Sequence, residues 1–511
     1  MTSIFWGILH GWSVATPWNG QAVWWLQLLA LTWLVRRLHF SRDTKSTTKG
    51  TTNGKTLATA LFAVAWFASS MWWLYTSMHD YGGLAAPLAA VAVLALSALL
   101  ASFYVAAGAV YTYLKTNQAF LDALLFAALW LLAELLRGTV MSGLPWSAVG
   151  YAHIDGPLAA IAPYGGVYGI SWAAAFMAAL FVLTRSCGLK MAIVALLLLR
   201  ASNVSQTDIP QSVSPASLTV RLLQGNIPQN EKFDMSTGVD TALRWYKAEL
   251  RQAVADEVAV VVAPETAIPL LPQQLPIDYW PALHDAFAGQ SKTAALVGIP
   301  LGSVDDGYAN SVIGLSATEA SPYRYDKHHL VPFGEFIPPA FRWFTDLMNI
   351  PLGDFARGDL AQPSLLHQGW RLAPNICYED LFGEELATRF ADPATAPSVF
   401  VNVSNMGWFA HKNQSSMAID QHLNISRMRT LEFDRPMIRA TNTGATVIIN
   451  RKGVVTHSLA RGTRGVLNGT VEGGAATITP YAKWAAQFWL WPLYFFAVIV
   501  VFMGYFLKRK T

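Results

Sequence analysis

Cys377 sits in the stretch "NICYED" (375–380), directly after an apolar run and just before a tyrosine and two acids. A cysteine becomes a nucleophile once its proton is removed, and a thiolate beside a base attacks carbonyl carbon. Two other stretches could serve such a thiol. "VVVAPETAIP" (260–269) places Glu265 at the end of an aliphatic run, where a carboxylate could accept the thiol proton. "YRYDKHHLVPFGEFIP" (323–338) supplies Lys327, His328, His329 and Glu335, and a lysine ammonium can stabilise a thiolate or an oxyanion. Plainer readings stand beside these. A cysteine after a strand is often a small buried filler, a lone lysine is often a surface residue, and Glu265 could cap a helix starting at Thr266, although Pro269 argues against a long one. Adjacent histidines point to opposite sides of a strand, and no acid or cysteine has matching ligand spacing, so no metal site is expected.

These residues need elements to position them. After "SNVSQTDIPQSVSPA" (202–216), a Ser/Pro-rich stretch that reads as a linker, the pattern becomes short β-rich runs alternating with amphipathic helices. Strands are predicted at 217–226, 257–265, 293–300, 308–315, 370–379, 398–404 and 437–450. Helices are predicted at 237–255, 380–390 and 415–431. Continuous apolar strands suit a sheet covered on both faces, so residues 217–475 read as one α/β domain. Glu265 and Cys377 fall at carboxyl ends of strands, where functional groups collect in such sheets. If a helix starts beside Cys377, its first amides would favour the thiolate.

The rest of the chain is apolar. The chain as a whole is 53% hydrophobic and 13% charged, about half the charged share of a soluble domain. Eight apolar segments stand out: 3–15, 20–37, 56–78, 84–114, 117–137, 157–185 and 189–201, then 484–507. Residues 1–201 therefore read as a domain of seven transmembrane helices, with the eighth after the α/β domain. Residues 3–15 lack a basic flank and are followed at once by a second apolar segment, so they read as retained rather than as a signal peptide. Arg36, Arg37, Arg42, Lys45, Lys49, Lys55, Lys115, Arg185, Lys190 and the terminal Lys508, Arg509 and Lys510 all fall on one side if every segment spans. That side is expected to be cytoplasmic, with both termini on it and the α/β domain opposite. Cys187 and Cys377, the two cysteines, then lie on different sides and cannot pair. A net charge of +4, with no basic tract interleaved with aromatics, argues against nucleic acid as a partner.

Glu265, Lys327 and Cys377, in "PET", "YDKHHLVPFGEFIP" and "CYED" contexts, resemble the nitrilase superfamily. With the flanking apolar segments, the whole chain resembles the apolipoprotein N-acyltransferase family of the bacterial inner membrane. Further matches are "LRGTVMSGLPW" (136–146), "GNIPQ" (225–229), "SNMGWF" (404–409) and "RMRTLEFDRPMIRATNTG" (427–444).

The resemblance implies an α-β-β-α sandwich on the periplasmic side of a multi-pass inner-membrane protein, with no cofactor. It implies that Cys377 takes an acyl chain from a phospholipid as a thioester and passes it to the α-amine of a diacylglyceryl-cysteine lipoprotein. Glu265 would be the base and Lys327 the oxyanion partner, while Glu335, Tyr378 and Glu379 would support them. Phe233, Trp146 and Trp408 are candidates for the lipid entrance, and a monomer is expected. Mobile loops near Phe233, at 265–280 or at 333–357 would gate a cleft shared by the two lipids. The chain departs from the family where Phe233 replaces a common Trp, Met406 an Asp and Ala410 a Gly. Two rival readings are a membrane-tethered amidase, which gives the preceding helices no task, and a non-enzymatic ligand-binding protein, which leaves three chemical motifs as coincidence.

Overall fold

A computed structural model describes residues 1–40, 48–204, 217–288, 291–303, 305, 307–317, 322–338, 354–410, 416–473 and 477–510. Arg42 and Lys45 of the basic loop, most of the 202–216 linker and the middle of the 333–357 segment lie outside the described residues. The chain forms two compact units. One comprises Met1–Tyr75, Ala85–Ile209 and Phe488–Thr511, and the other Thr76–Leu84 and Pro210–Gln487.

The first unit is helical: α1 (Thr2–Trp12), α2 (Trp24–Phe40), α3 (Thr48–Ser70), α4 (Ala86–Leu114), α5 (Ala119–Thr139), α6 (Ala162–Leu183), α7 (Cys187–Val204) and, from the C-terminus, the helix Trp491–Lys510. Among the described residues four helical stretches are long and apolar enough to cross a membrane: Ala86–Leu114, Ala119–Ser142, Pro157–Leu183 and Trp491–Arg509. Gly54–Ser70 and Leu74–Tyr81, bent by 61°, would make a fifth if they form one broken span. The other three expected segments are shorter. At 1.5 Å per residue, the 11 residues of α1 reach only about 16 Å, and the 17 of α2 include Arg36 and Arg37. The apolar part of α7 is Cys187–Leu197. Gly7 and Gly11 let α1 lie against α3, because a Cβ at Gly7 would stand 2.2 Å from the Phe62 carbonyl and one at Gly11 2.6 Å from that of Trp66. Trp146 is 3% exposed, packs on Trp73 at 4.9 Å and offers its carbonyl to Arg137 at 2.8 Å. Its ring is packed in the interior of this unit.

Among the described residues, the second unit holds twelve strands in two sheets. In the first, β1 (Ser217–Gln224), β2 (Val260–Ala263) and β3 (Ala294–Ser303) run parallel, and β4 (Gly307–Leu315) and β5 (Tyr323–Asp326) follow antiparallel. In the second, β6 (Leu365–His367) is antiparallel to β7 (Trp370–Ile376), which runs parallel with β8 (Val399–Ser404) and β9 (Met437–Thr441). β10 (Val447–Ile449) and β11 (Val455–Ser458) extend this sheet beyond β9, and β12 (Gly465–Glu472) returns to pair with β1. The strand orders are 12-1-2-3-4-5 and 11-10-9-8-7-6.

Strand alternation builds the layers. Val260 and Val262 of β2 and Val399, Val401 and Val403 of β8 meet in the core between the sheets. Val261 and Ala263 point the other way, onto α8 (Gly238–Ala255) and α9 (Tyr279–Phe287). On the far side Phe400 meets Phe433 of α11 (Met417–Phe433) at 5.3 Å. Both faces of each central strand are covered, which explains their unbroken apolar runs. The helix predicted over 380–390 is instead a 3-10 turn Cys377–Leu381, the short α10 (Gly383–Ala387) and a second 3-10 turn. Asn375 (2.5 Å) and Ser426 donate to the buried Asp380 carboxylate, and these tertiary bonds replace the helical continuation. The α/β unit also extends past the predicted boundary at 475 to include α12 (Pro480–Phe488) as far as Gln487.

Candidate active site

Glu265 leaves the carboxyl end of β2 through Pro264 and is followed by Thr266 at φ +51°. The turn fits because residue 298 of β3 is a glycine, whose added Cβ would lie 2.2 Å from the Pro264 carbonyl. Asn310 of β4 donates Nδ2 to Glu265 Oε1 at 2.7 Å and to Glu335 Oε1 at 2.8 Å, bridging the two carboxylates. The Asn405 amide, just beyond β8, donates to Glu265 Oε2 at 2.8 Å.

Lys327 follows β5 and is buried. Its Nζ lies 2.9 and 2.8 Å from the two oxygens of Glu335 and 3.5 Å from Glu265 Oε1. Burial disfavours this ammonium, but Glu335, Glu265 and the Cys377 sulfur outweigh it and raise its pKa above the usual lysine value. Glu335 is itself fixed by the Val331 amide at 2.9 Å.

Cys377 follows β7 with φ +51°, a left-handed conformation unusual for a residue with a side chain. Two groups hold that elbow. Glu379 Oε2 accepts from the Ile376 amide at 2.6 Å, and His422 Nε2 lies 3.0 Å from the Cys377 carbonyl. Arg439 donates to His422 Nδ1 at 2.9 Å, which leaves Nε2 as the protonated, donating nitrogen. Burial, then Glu265, push the Cys377 thiol up to about 12, against the pull of Lys327 and Arg439. The expected helix N-terminus is replaced by a single 3-10 turn, which offers the sulfur no helix dipole to lower its pKa.

Glu379 is a frame rather than a reacting group. It also accepts from Tyr325 Oη at 2.8 Å and from the amides of His328 and His329 at 2.7 and 3.2 Å, tying the segment around Lys327 to the Cys377 turn. Tyr378 is buried, its ring 5.5 Å from His329 and 5.3 Å from Phe382. His328 Nδ1 contacts the Gly358 carbonyl at 2.7 Å and His329 Nδ1 contacts Glu385 at 2.8 Å, so each histidine has a local structural partner. Behind Glu265, Asn442 bonds both backbone groups of Ile227 and also Asn405 Oδ1, while Asn405 Nδ2 reaches Gln229 at 2.7 Å. The "GNIPQ", "SNMGWF" and "ATNTG" stretches thus form one hydrogen-bonded frame.

Sequence reasoning missed Asn310 and Lys232. Asn310 lies inside a strand pattern with nothing local to mark it. Lys232 is buried with Nζ on the Glu265 carbonyl at 3.1 Å, whereas its neighbour Phe233 is exposed. The one available signal was a lysine in the "GNIPQNEKF" loop. Of the remaining entrance candidates, Trp408 is half-buried, edge-on to Tyr81 at 5.9 Å.

The two-sheet α/β unit is a carbon-nitrogen hydrolase domain of the nitrilase superfamily, and residues 219–480 match the family described as Carbon-nitrogen hydrolase. Residues 4–180 match a second family, the Apolipoprotein N-acyltransferase N-terminal domain. The chain is 52% identical to an apolipoprotein N-acyltransferase of Verminephrobacter eiseniae, covering 95% of this chain and 92% of that one. It is 41% identical to the apolipoprotein N-acyltransferase of Ralstonia nicotianae, over 90% and 86% of the two chains. A solved carbon-nitrogen hydrolase from Helicobacter pylori is 13% identical, covering 54% of this chain and 94% of that one, with a TM-score of 0.37. The chain belongs to the apolipoprotein N-acyltransferase family.

Proposed function

We propose that this protein is an N-acyltransferase that moves an acyl chain from a membrane phospholipid to the α-amine of the diacylglyceryl-cysteine of a lipoprotein, through a thioester on Cys377. The observation that carries the reading is a buried Glu265–Lys327–Glu335 cluster acting electrostatically on Cys377, in a chain of this family with membrane-length helices. Glu265 takes the thiol proton as sulfur attacks the ester carbonyl, and the oxyanion forms beside the Lys327 ammonium that Glu335 holds. Collapse expels the lysophospholipid oxygen, which takes the proton back from Glu265. The amine then attacks the thioester, Glu265 accepts a proton from nitrogen, and the departing sulfur recovers it.

Phe233 and Trp408 are the side chains best placed to meet acyl chains, one exposed and one half-exposed. If all eight expected segments cross the inner membrane, the basic loops favour cytoplasmic termini and a periplasmic catalytic domain. Incubation in detergent with a phospholipid carrying a labelled acyl chain tests the chemistry. Label should reach Cys377, leave with hydroxylamine and move to a lipopeptide amine. Transfer to water in preference to the amine would favour the hydrolase, and undiminished acylation by Cys377→Ala would overturn the thioester.

A further inference from the structure

Around Glu265 the usual rule of burial is inverted at two adjacent positions. Lys232 is 3% exposed and Phe233 is 43% exposed, although lysine is among the residues least often buried and phenylalanine among the most. A buried ammonium normally has a carboxylate partner. Lys232 has none within ion-pair distance among the described residues; its Nζ donates instead to the backbone carbonyl of Glu265 at 3.1 Å. Lys327 is the reverse case, clasped by Glu335 and close to Glu265.

The charges around the sulfur show what an unclaimed cation does here. At rest Glu265, Glu335 and Lys327 leave one negative charge. When the thiol proton moves to Glu265, that charge moves from the carboxylate to sulfur. Arg439 is matched by Asp380 at 3.8 Å, and His422, which holds the Cys377 carbonyl, is kept neutral by burial and by Arg439. Lys327 and Arg439 already favour the thiolate, and Lys232, with no carboxylate within ion-pair distance among the described residues, adds a further positive charge on the Glu265 side.

We propose that Lys232 is a second cation of the active site, a positioning residue that holds the Glu265 backbone and adds its charge to that of Lys327 in favouring the Cys377 thiolate. Burial lowers Lys232 to about 8, with Glu265 and Cys377 opposing the shift, so it carries its charge at neutral pH. The inference rests on Cys377 being the nucleophile, and it predicts thiol reactivity whether or not the acyl acceptor is an amine.

The test is peptide-resolved alkylation of Cys377 by iodoacetamide against pH, on the full-length protein in detergent, with Cys187→Ala as background. Glu265, Glu335, Lys327, Arg439, Asp380 and His422 stay in place, so only one charge changes. Removing an opposite charge of this kind moves a pKa by about one unit or more, so Lys232→Met should slow alkylation at pH 7 about tenfold and move the profile to higher pH. Lys232→Gln keeps an N–H donor for the Glu265 carbonyl without the charge and should behave like the methionine variant. Lys232→Arg should stay within about threefold of the parent. A glutamine variant with the parent's rate and profile would reduce Lys232 to a backbone clamp and overturn the proposal. So would glutamine and arginine variants that react alike, even if the methionine variant fails to fold. Labelling by phospholipid in the same proteins reads the acyltransferase chemistry separately, and its loss with an unchanged alkylation profile would count against Lys232 acting through the thiolate.

Discussion

The backbone amide of Asn405 donates to Glu265 Oε2 across 2.8 Å, so a residue at the end of one sheet grips the carboxylate at the end of the other. Asn310, from the sheet that carries Glu265, holds the opposite oxygen at 2.7 Å. The carboxylate is clamped from both sheets, with its plane set before any substrate arrives. Such preorganisation is worth most where it fixes the atom that moves a proton.

Asn310→Leu should therefore be a chemical lesion more than a structural one. It removes the bridge between Glu265 and Glu335, and hydrogen bonds to charged groups contribute about 1.5–3 kcal/mol each. The rate of thioester formation, measured in a single turnover with labelled phospholipid, should fall about 10- to 100-fold. An unchanged rate would show that Lys327 and Asn405 suffice to orient the base.

Glu379 should be far less tolerant. Its two oxygens accept from Ile376, Tyr325, His328 and His329, so Glu379→Gln turns an NH2 toward buried donors and leaves some unpaired. The expected loss is about 3 kcal/mol or more, read as a lower unfolding temperature of the catalytic unit. Tyr325→Phe removes only one donor and should cost about 1 kcal/mol. Equal melting temperatures for the glutamine variant and the parent would contradict the framing role.

Much of this was legible in the sequence because period-2 burial writes itself into strands. The runs Val260–Ala263 and Val399–Ser404 are continuous because both faces are covered; the first leads directly to Glu265, and the neighbouring strand Trp370–Ile376 leads to Cys377. β5, β6, β11 and β12 were not distinguished because they mix polar and apolar residues at edges or carry partly exposed positions. The turn at Cys377 was misread as a helix start because the Asp380 and Glu379 carboxylates are drawn into tertiary hydrogen bonds that no local pattern records. Lys232 was illegible for the same reason: its burial depends on a carbonyl 33 positions away.

Tyr81 lies in a π-helical turn, Ser77–Tyr81, that belongs to the catalytic unit although it is remote in sequence. Its hydroxyl donates to the Ala410 carbonyl at 2.8 Å and its ring meets Trp408 edge-on at 5.9 Å, so it braces the segment that begins at Asn405. Tyr81→Phe loses only the hydrogen bond, a change of about 1 kcal/mol, and should speed amide exchange over residues 405–410 several-fold with modest loss of activity. Tyr81→Ala loses the ring contact too and should lower the thioester rate, because Asn405 then holds Glu265 less well. Faster exchange with no change in rate would separate the brace from catalysis.

Glu384 gives the catalytic unit a pH-dependent stability of defined sign. Burial, then the neighbouring Glu385 and Glu432, raise its carboxyl from 4.5 to about 8, against its own backbone and Arg429. Between about pH 4.5 and 8 the unfolded chain has lost this proton while the folded chain keeps it. Unfolding therefore releases a proton, and stability falls as pH rises through that window, by at most about 1.4 kcal/mol per pH unit for one group. Glu384→Gln supplies a neutral side chain of the same shape in both states. Its unfolding temperature should match the parent near pH 5 and exceed it by at least about 3 °C near pH 8. Parallel curves for parent and variant would show that Glu384 is ionised in the fold, with Arg429 and its own backbone amide outweighing burial.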